Sequence, residues 1–591
     1  MAQPRPISAV ILKPRISDHP RRERLCEEIN GPQFVADLLL ERGIEEKEEA
    51  RRFFLAALDP VPPGSGVPPL AGVPEGNGDR PMLCLDKAVD LLLAAHGAGE
   101  KVVVHGDYDV DGVTATALLY QGLKACGFQA GWFLPNRFRE GYGITFASVE
   151  KIRESGGCWI VSVDTGIAAV AEVARAKELG LKVIITDHHQ AAEILPAADA
   201  IVNPNQPGCL YPNKGLSGVG VAYKLLDAVS RRLTGEGAER FLDLLALGSL
   251  ADNVPLLGEN RSLVKTGLKL LATSPNVGIR ALLDRLGMDR EGLSSGDILF
   301  KVTPMLNAMG RMGSPEISLR LLLSESAEEA ASYLDQMVAE NARRRKLDQD
   351  ITVDAIRMVE EDPGHAEGGC LVLASREWHE GVIGIVAARM VERYRRPAFV
   401  IAINPAGMAK GSGRTVPGFN LYKALAGAAH LLEKWGGHYH ACGFSIREEK
   451  LEALRVLMNQ AAADHLAGND FVPRLQTHVE IGLDSLNADN MLWIRRFEPF
   501  GPLNEHPLFY SEDVELLGEP RIVGEKHLKL TLGTARSSFD AIGFNLGYLQ
   551  ENLRGRPRIA KIAYYPEWNT YRGARKIQLR LVAVECEGSE V

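Results

Sequence analysis

His105-Gly-Asp107-Tyr-Asp109-Val-Asp111-Gly112 follows directly on the apolar run Lys101-Val-Val-Val104, and a helical pattern, Val113 to Ala125, comes after it. A strand that delivers four ionisable side chains at its tip and then turns into a helix opens an α/β unit. Two further apolar runs repeat the arrangement. Trp159 to Val163 ends in Asp164-Thr-Gly, and Lys182 to Thr186 ends in Asp187-His188-His189, with a helical segment, Ala168 to Leu179, between them. Strands alternating with helices predict a parallel, doubly wound sheet whose carboxyl ends open on one crevice. The three clusters should face each other there. Asp252, in Gly248-Ser-Leu-Ala-Asp252-Asn-Val-Pro-Leu, closes an apolar helical stretch and is expected to reach the same crevice.

So many carboxylates in a low-dielectric cleft repel one another, and bound cations relieve the repulsion. Oxygen and imidazole donors without thiolate favour manganese or magnesium over a structural zinc. Two such ions about 3.5 to 4 Å apart suit in-line attack on a phosphodiester. Two plainer readings stand beside this one. The Asp107-x-Asp109-x-Asp111-Gly112 spacing is also that of a calcium loop, although its twelfth position is Leu118 and a strand precedes it where a helix is required. The aspartates also suit helix N-caps, which one cluster would support better than three at successive strand ends.

The chain has 591 residues, enough for about four domains. Its 46% hydrophobic and 24% charged content is that of a folded globular protein and excludes collagenous or largely disordered classes. A net charge of −9 excludes a basic nucleic-acid coat, so any polyanion site must be a local patch. Eight cysteines without a C-x-x-C suggest neither a zinc ribbon nor a disulfide framework. No run of about 18 apolar residues occurs, so a membrane span is not expected and the cytoplasm is the expected compartment.

Along the chain, residues 1–80 read as a helical segment, from about Gln33 to Leu58, followed by a Pro/Gly-rich linker from Pro60 to Arg80. The α/β unit with the aspartates occupies 81–262. A helical connector, 263–365, contains a loop at Asn307 to Arg311 and a long helix from about Ala327 to Glu361, which at 1.5 Å per residue reaches roughly 50 Å. A second α/β unit covers 366–470. The last part, 471–591, alternates like strands and reads as a small β-barrel.

Asp-Tyr-Asp-Val-Asp-Gly, Val163-Asp-Thr-Gly, Asp187-His-His, Ala251-Asp-Asn-Val-Pro-Leu and Asn307-Ala-Met-Gly-Arg311 together resemble the ordered motifs of the DHH phosphoesterase superfamily. Gly411-Ser-Gly-Arg414 and Gly436-Gly-His438 resemble its DHHA1 companion domain. With the amino-terminal helices and an OB-like terminal barrel added, the whole chain is similar to the branch of that superfamily that degrades single-stranded DNA from 5′ to 3′. The resemblance implies a bacterial DNA repair and recombination exonuclease of the cytoplasm and nucleoid that releases 5′-mononucleotides. It implies two divalent cations, Mn2+ or Mg2+, with single-stranded DNA as substrate and a single-strand-binding protein and a helicase as partners. Carried over by position, His105 and Asp109 would hold one metal, Asp111, His188 and Asp252 the other, and Asp164 would bridge them. Asp107 and Asp187 would orient these ligands, and His189 would contact the scissile phosphate. Two rival functions remain open: a DHH phosphodiesterase for short RNA or cyclic dinucleotides, and a non-catalytic DNA-binding scaffold of the same fold.

Outside the crevice, Arg311 offers a guanidinium for phosphate oxygens, with Asn307 beside it in the motif; its plain alternative is a surface ion pair. Gly411-Ser412-Gly413-Arg414 offers the ingredients of an anion nest, although such a stretch is more often a turn. No Walker A lysine follows, so ATP is not indicated. Arg137 would complete a pocket for a terminal phosphate, and Tyr142 would stack on a base. His438, rather than His440, is the expected contact in the Gly436-Gly-His strand opening. From Arg554 to Arg580 basic residues interleave with Tyr564, Tyr565, Trp568 and Tyr571, the composition of a single-strand platform and equally of a solvated barrel face.

Overall fold

The computed structural model describes residues 10–14, 19–56, 81–136, 140–290, 292–362, 364, 368–466, 474–571 and 574–586. The predicted linker, up to Arg80, lies outside them. Two compact units emerge, one of residues 1–304, 319–330 and 472–591, the other of 305–318 and 331–471. No helix among the described residues is long and apolar enough to cross a membrane.

The first unit begins with a short strand, β1 (Val10–Leu12), and contains an all-parallel sheet of β2 (Val102–His105), β3 (Ala130–Phe133), β4 (Trp159–Val163), β5 (Lys182–Thr186) and β6 (Ala200–Val202). Their order is β3-β2-β4-β5-β6. The strands are Val- and Ile-rich because helices cover both faces, and β2 and β4 are buried throughout. Strand order reverses between β2 and β4, which makes the crevice outside their carboxyl ends the switch point of the sheet. His105 lies opposite Ser162, and Val163 opposite Thr186, so the three strand tips are level. The helix after β2 spans Val110–Ala125. It starts three residues earlier than the pattern predicts because Asp109 caps it, accepting from the Gly112 amide at 3.1 Å.

The second unit is built on β7 (Leu371–Ser375), β8 (Ala398–Ile403), β9 (Met408–Arg414), β10 (Leu432–Gly437) and β11 (Ala441–Arg447), in the order β10-β11-β9-β8-β7. Only the β7–β8 pair is parallel. The long helix is present as Ala327–Glu361, and the division between units falls at its residue 330. Asn307 and Arg311 lie on a helix, Thr303–Met312, and not in the expected loop. Ala308 and Met309 are buried there, and that burial overrides the breaking tendency of Gly310.

The remaining strands return to the first unit: β12 (Arg474–Gln476), β13 (Val479–Glu480), β14 (Phe509–Leu516), β15 (Arg521–Val523), β16 (His527–Gly533), β17 (Ser538–Gly543), β18 (Arg558–Tyr571) and β19 (Ala574–Glu585). A β14–β16 pairing closes the ring β14-β18-β19-β17-β16 into a barrel. The amino-terminal segment is not the separate body its linker suggests. Helices Gln33–Glu41 and Lys47–Leu55, separated at Gly43, share one apolar core with the barrel, where the Phe34 and Phe509 rings meet at 6.0 Å. β1 adds itself in parallel to β12. Buried Arg261 fastens this assembly, donating to the carbonyls of Phe53, Arg496, Phe497 and Pro499.

Candidate metal centre and phosphate-binding groups

The level strand tips bring the expected carboxylates together. Ligand atoms of Asp111, His188 and Asp252 all lie within 4.8 Å of one another, as do those of Asp107, Asp109 and Asp164, and those of Asp164, His188 and His189. His188 is the hinge of the set: its Nε2 is 3.1 Å from Asp164 and 4.0 Å from Asp111, and its Nδ1 is 3.8 Å from Asp252. Asp252 is the C-cap of the helix Leu242–Ala251, which delivers it to the crevice. Asp164 adopts a left-handed φ of 60° just beyond β4. A Cβ on Gly218 would lie 2.4 Å from the Asp164 carboxylate, so only glycine fits opposite it.

Burial first, and then the charge of a neighbouring carboxylate, hold Asp107, Asp111 and Asp164 far above the usual aspartate range. The neighbour is Asp109 for Asp107, Asp252 for Asp111 and Asp111 for Asp164. Burial and Asp109 push Asp252 up to about 7. Burial, and then the His189 charge, lower His188 to about 4, leaving a neutral imidazole able to donate a lone pair. His189 behaves oppositely. Its Nδ1 lies 2.7 Å from Asp187, and that hydrogen bond raises it to about 9, so it faces the crevice as a cation. Burial would raise Asp187, but the His189 hydrogen bond and charge outweigh it.

The donor set fits a divalent cation. Carboxylates that repel one another when ionised gain most from a cation among them, and three buried polar atoms of the crevice, His105 Nδ1, Asp107 Oδ1 and Asp164 Oδ1, have no hydrogen-bond partner among the described residues. His105 is fully buried, lowered to about 4 by that burial, with Nε2 3.0 Å from the Ser148 hydroxyl. Its ligand atoms are in none of the three groupings, and Asp107 stands in one of them, beside Asp109. Asp111 is gripped by the amides of Gly218 and Val219 at 2.7 and 2.8 Å, at the start of the helix Gly218–Thr234. That grip escapes a sequence reading, since backbone donors leave only the signal of Ser217 before Gly-Val-Gly, a helix start.

In the second unit, Gly411-Ser412-Gly413-Arg414 is neither a loop nor a nest. It is the end of β9, and its backbone is engaged in ladders with β8 and β11. Ser412 and Arg414 share one face, and the Arg414 guanidinium donates to Ser412 Oγ at 3.1 Å and to the Gly413 carbonyl at 2.7 Å. Burial lowers Arg414 from its ordinary value. A Cβ on Gly384 would come within 3.1 Å of both side chains, which sets them against the first turn of the helix Ile383–Tyr394. His438 follows β10 instead of opening a strand; it is exposed, and its amide bonds the Ala441 carbonyl. Arg311 adds its charge to the surroundings of Asp348, itself paired with Arg389 at 2.7 Å. In the first unit, Tyr142 is 56% exposed, edge-on to Tyr108, and Arg137 lies outside the described residues.

The expected platform on the barrel is reduced. Tyr564 is buried against the Ser511 hydroxyl and cannot stack on a base. Arg554, Arg558, Lys561 and Arg580 pair with Glu551, Asp513, Glu585 and Glu567. Arg575, over the Trp568 ring at 4.5 Å, and Lys576 remain exposed on β19. Arg572 lies outside the described residues.

Residues 101–249 match the DHH family N-terminal domain, 367–464 the DHHA1 domain and 477–583 the RecJ OB domain. The chain is 37% identical to the single-stranded-DNA-specific exonuclease RecJ of Bacillus subtilis, over 93% of this chain and 68% of that protein. It is 34% identical to that of Escherichia coli, over 84% and 89%. The crystal structure of RecJ in complex with Mn2+ from Thermus thermophilus superposes with a TM-score of 0.79 at 29% identity, covering 98% of this chain and 79% of that one.

Proposed function

The chain belongs to the RecJ family, and we propose that it is a metal-dependent exonuclease that digests single-stranded DNA from its 5′ end to 5′-mononucleotides. The observation that carries the hydrolytic reading is the convergence of Asp107, Asp109, Asp111, Asp164, Asp252 and His188 at the switch point of the sheet. Asp109, Asp111, Asp164, His188 and Asp252, with His105, would hold two cations, Mn2+ or Mg2+. Bound there, the cations supply a water acidic enough to attack phosphorus and neutralise charge on the phosphate. The neutral His188 is ready to bind, with its Nε2 3.1 Å from Asp164 and its Nδ1 3.8 Å from Asp252. The His189–Asp187 pair presents a proton on the open side of the crevice, suited to a non-bridging oxygen of the scissile phosphate. Arg311 and Asn307 contact the backbone of the strand, and Tyr142 stacks on a base. His438 accompanies the bare Gly436 and Gly437 backbone.

Polarity follows from the Ser412–Arg414 face. A 5′-terminal phosphate monoester carries more charge than an internal linkage, and a guanidinium, a hydroxyl and a helix start together reward that extra charge. Work in DNA repair and recombination, in the cytoplasm, beside a single-strand-binding protein and a helicase, completes the reading. A DHH phosphodiesterase for short RNA or cyclic dinucleotides, or a silent scaffold, is not favoured, because similarity to RecJ runs through the terminal barrel. The test is digestion of 5′-labelled and 3′-labelled single- and double-stranded DNA with Mn2+. Early release of a 5′-labelled mononucleotide from single strands alone supports the proposal; early release of the 3′ label, or equal digestion of duplex, overturns it.

A further inference from the structure

One loop, Asn203 to Ser217, with the first residues of the helix that follows it, holds both histidines of the Asp187-His188-His189 cluster at its start and an aspartate of the first cluster at its end. The Asn203 side-chain amide donates to the His189 carbonyl at 3.0 Å, and that of Asn205 to the His188 carbonyl at 2.6 Å. The two asparagines are themselves locked, since the Asn205 backbone amide donates to Asn203 Oδ1 at 2.7 Å. Asn203 is fully buried beyond β6, the strand beside β5. Sixteen residues after Asn203, by its number, Val219 joins Gly218 in binding the two oxygens of Asp111.

Between these ends the loop is tied to itself. Lys214 Nζ donates to the carbonyls of Pro204 and Cys209, and the Asn205 amide reaches the Lys214 carbonyl at 3.2 Å. The Asn213 side chain binds Glu259 and Asn260 at 3.0 and 2.9 Å and accepts from the Gly215 amide at 3.1 Å. The half-buried Glu259 carboxylate also accepts from the Tyr211 hydroxyl at 2.7 Å and pairs with Lys224, which anchors the loop to the helix Gly258–Ala272. Every polar side chain named here points into the loop or its anchor. None is among the carboxylate and histidine groupings of the crevice.

We propose that this loop sets the distance between the two halves of the metal centre, with Asn203 and Asn205 as positioning residues for His188 and His189 and Lys214 as the tie that keeps both ends in register. Neither amide touches the crevice; each acts through a backbone carbonyl one bond removed from a histidine Cα. Moving that carbonyl moves the imidazole, and coordination tolerates only small displacements. The proposal rests on the reading that the crevice binds metal, and the experiment separates the two.

Mn2+ is titrated into the full-length chain and its Asn205→Ala and Lys214→Met variants, with free Mn2+ followed by electron paramagnetic resonance. Thermal unfolding is recorded without metal, and nuclease rates are measured across Mn2+ concentrations. Loss of an outer hydrogen-bond partner of a metal site weakens affinity by about 10 to 100-fold. Asn205→Ala should show a loss of that size, and Lys214→Met, which keeps the apolar stem, a smaller one. Both should keep the wild-type KM for DNA and recover their rate as Mn2+ rises. If Asn205→Ala does not fold, Lys214→Met decides alone. Wild-type Mn2+ affinity in the folded variants, or a rate that added Mn2+ does not restore, overturns the scaffold. A wild-type chain that binds no Mn2+ overturns the metal reading itself.

Discussion

In the proposed function the metal crevice and the Ser412–Arg414 face would both serve a phosphate, yet they stand in opposite electrostatic conditions. In the crevice, Asp107, Asp111 and Asp164 are buried against their own kind and held far above the usual aspartate range. At the face, Arg414 is already satisfied in part, by the Ser412 hydroxyl and the Gly413 carbonyl. A cluster of like charges is completed by a cation, whereas a partly paired guanidinium selects an anion without needing one. The crevice should therefore govern whether hydrolysis occurs, and the face which end is accepted.

The sharpest way to break this division is Asp164→Asn. Asparagine tolerates the left-handed backbone at this position and fits opposite Gly218, so the fold is retained. The charge that the two proposed cation sites would share is lost. Hydrolysis should fall to background while affinity for a 5′-phosphorylated oligonucleotide, measured by anisotropy, stays near wild type. Turnover at the wild-type rate would remove Asp164 from the centre.

Metal removal tests the same contrast at the level of stability. A ligand that binds only the folded state at a hundred times its Kd contributes about 2.7 kcal/mol. Chelation should accordingly lower the Tm by a few degrees. In hydrogen exchange the lost protection should map to residues 105–111 and 187–189 and spare 408–414. Uniform loss over both regions would mean that the cation is not localised in the crevice.

Arg414→Ala probes the other side. Removing a charged hydrogen-bonding partner from a partly buried site costs about 1.5 to 3 kcal/mol, or roughly tenfold or more. The ratio of initial rates on 5′-phosphate and 5′-hydroxyl ends, at subsaturating DNA, should fall by that factor. An unchanged ratio with both rates reduced would place Arg414 on the general backbone path.

The two regions were not equally legible in the sequence. Asp164 and the Asp187-His188-His189 cluster each end a short apolar run, so the runs themselves and the rule for parallel sheets bring them together without any long-range information. The surroundings of Arg414 depend on Gly384, thirty positions earlier by number, and on a helix start that no side chain advertises. The stretch therefore reads as a turn or nest when it is a strand. Asn307 and Arg311 were misplaced for a related reason: Gly310 reads as punctuation, and only tertiary burial of Ala308 and Met309 keeps that segment helical. The Pro/Gly stretch from Pro60 to Arg80 reads as a linker, but composition carries no sign that the helices before it share a core with strands more than 420 residues later.

That shared core changes how the barrel's grip must be tested. Deleting everything after Phe471 would strip the apolar partners of Phe34, Leu38 and Phe53, so loss of DNA binding by such a truncation would report unfolding. Point substitutions avoid this. Arg558 is paired with Asp513 at 2.6 Å, whereas Arg575 and Lys576 stand exposed on β19, Arg575 over the Trp568 ring. Each phosphate contact on a single strand contributes about 0.7 to the slope of log K against log salt. Replacing Arg575 and Lys576 together by alanine should reduce the slope for a long oligonucleotide by about 1 to 1.5. Arg558→Ala should leave it nearly unchanged, since Asp513 already screens that charge. Equal slopes for all three proteins would remove this edge of the barrel from the DNA path, and a larger change in Arg558→Ala would mean that the strand displaces the ion pair and binds the opposite edge.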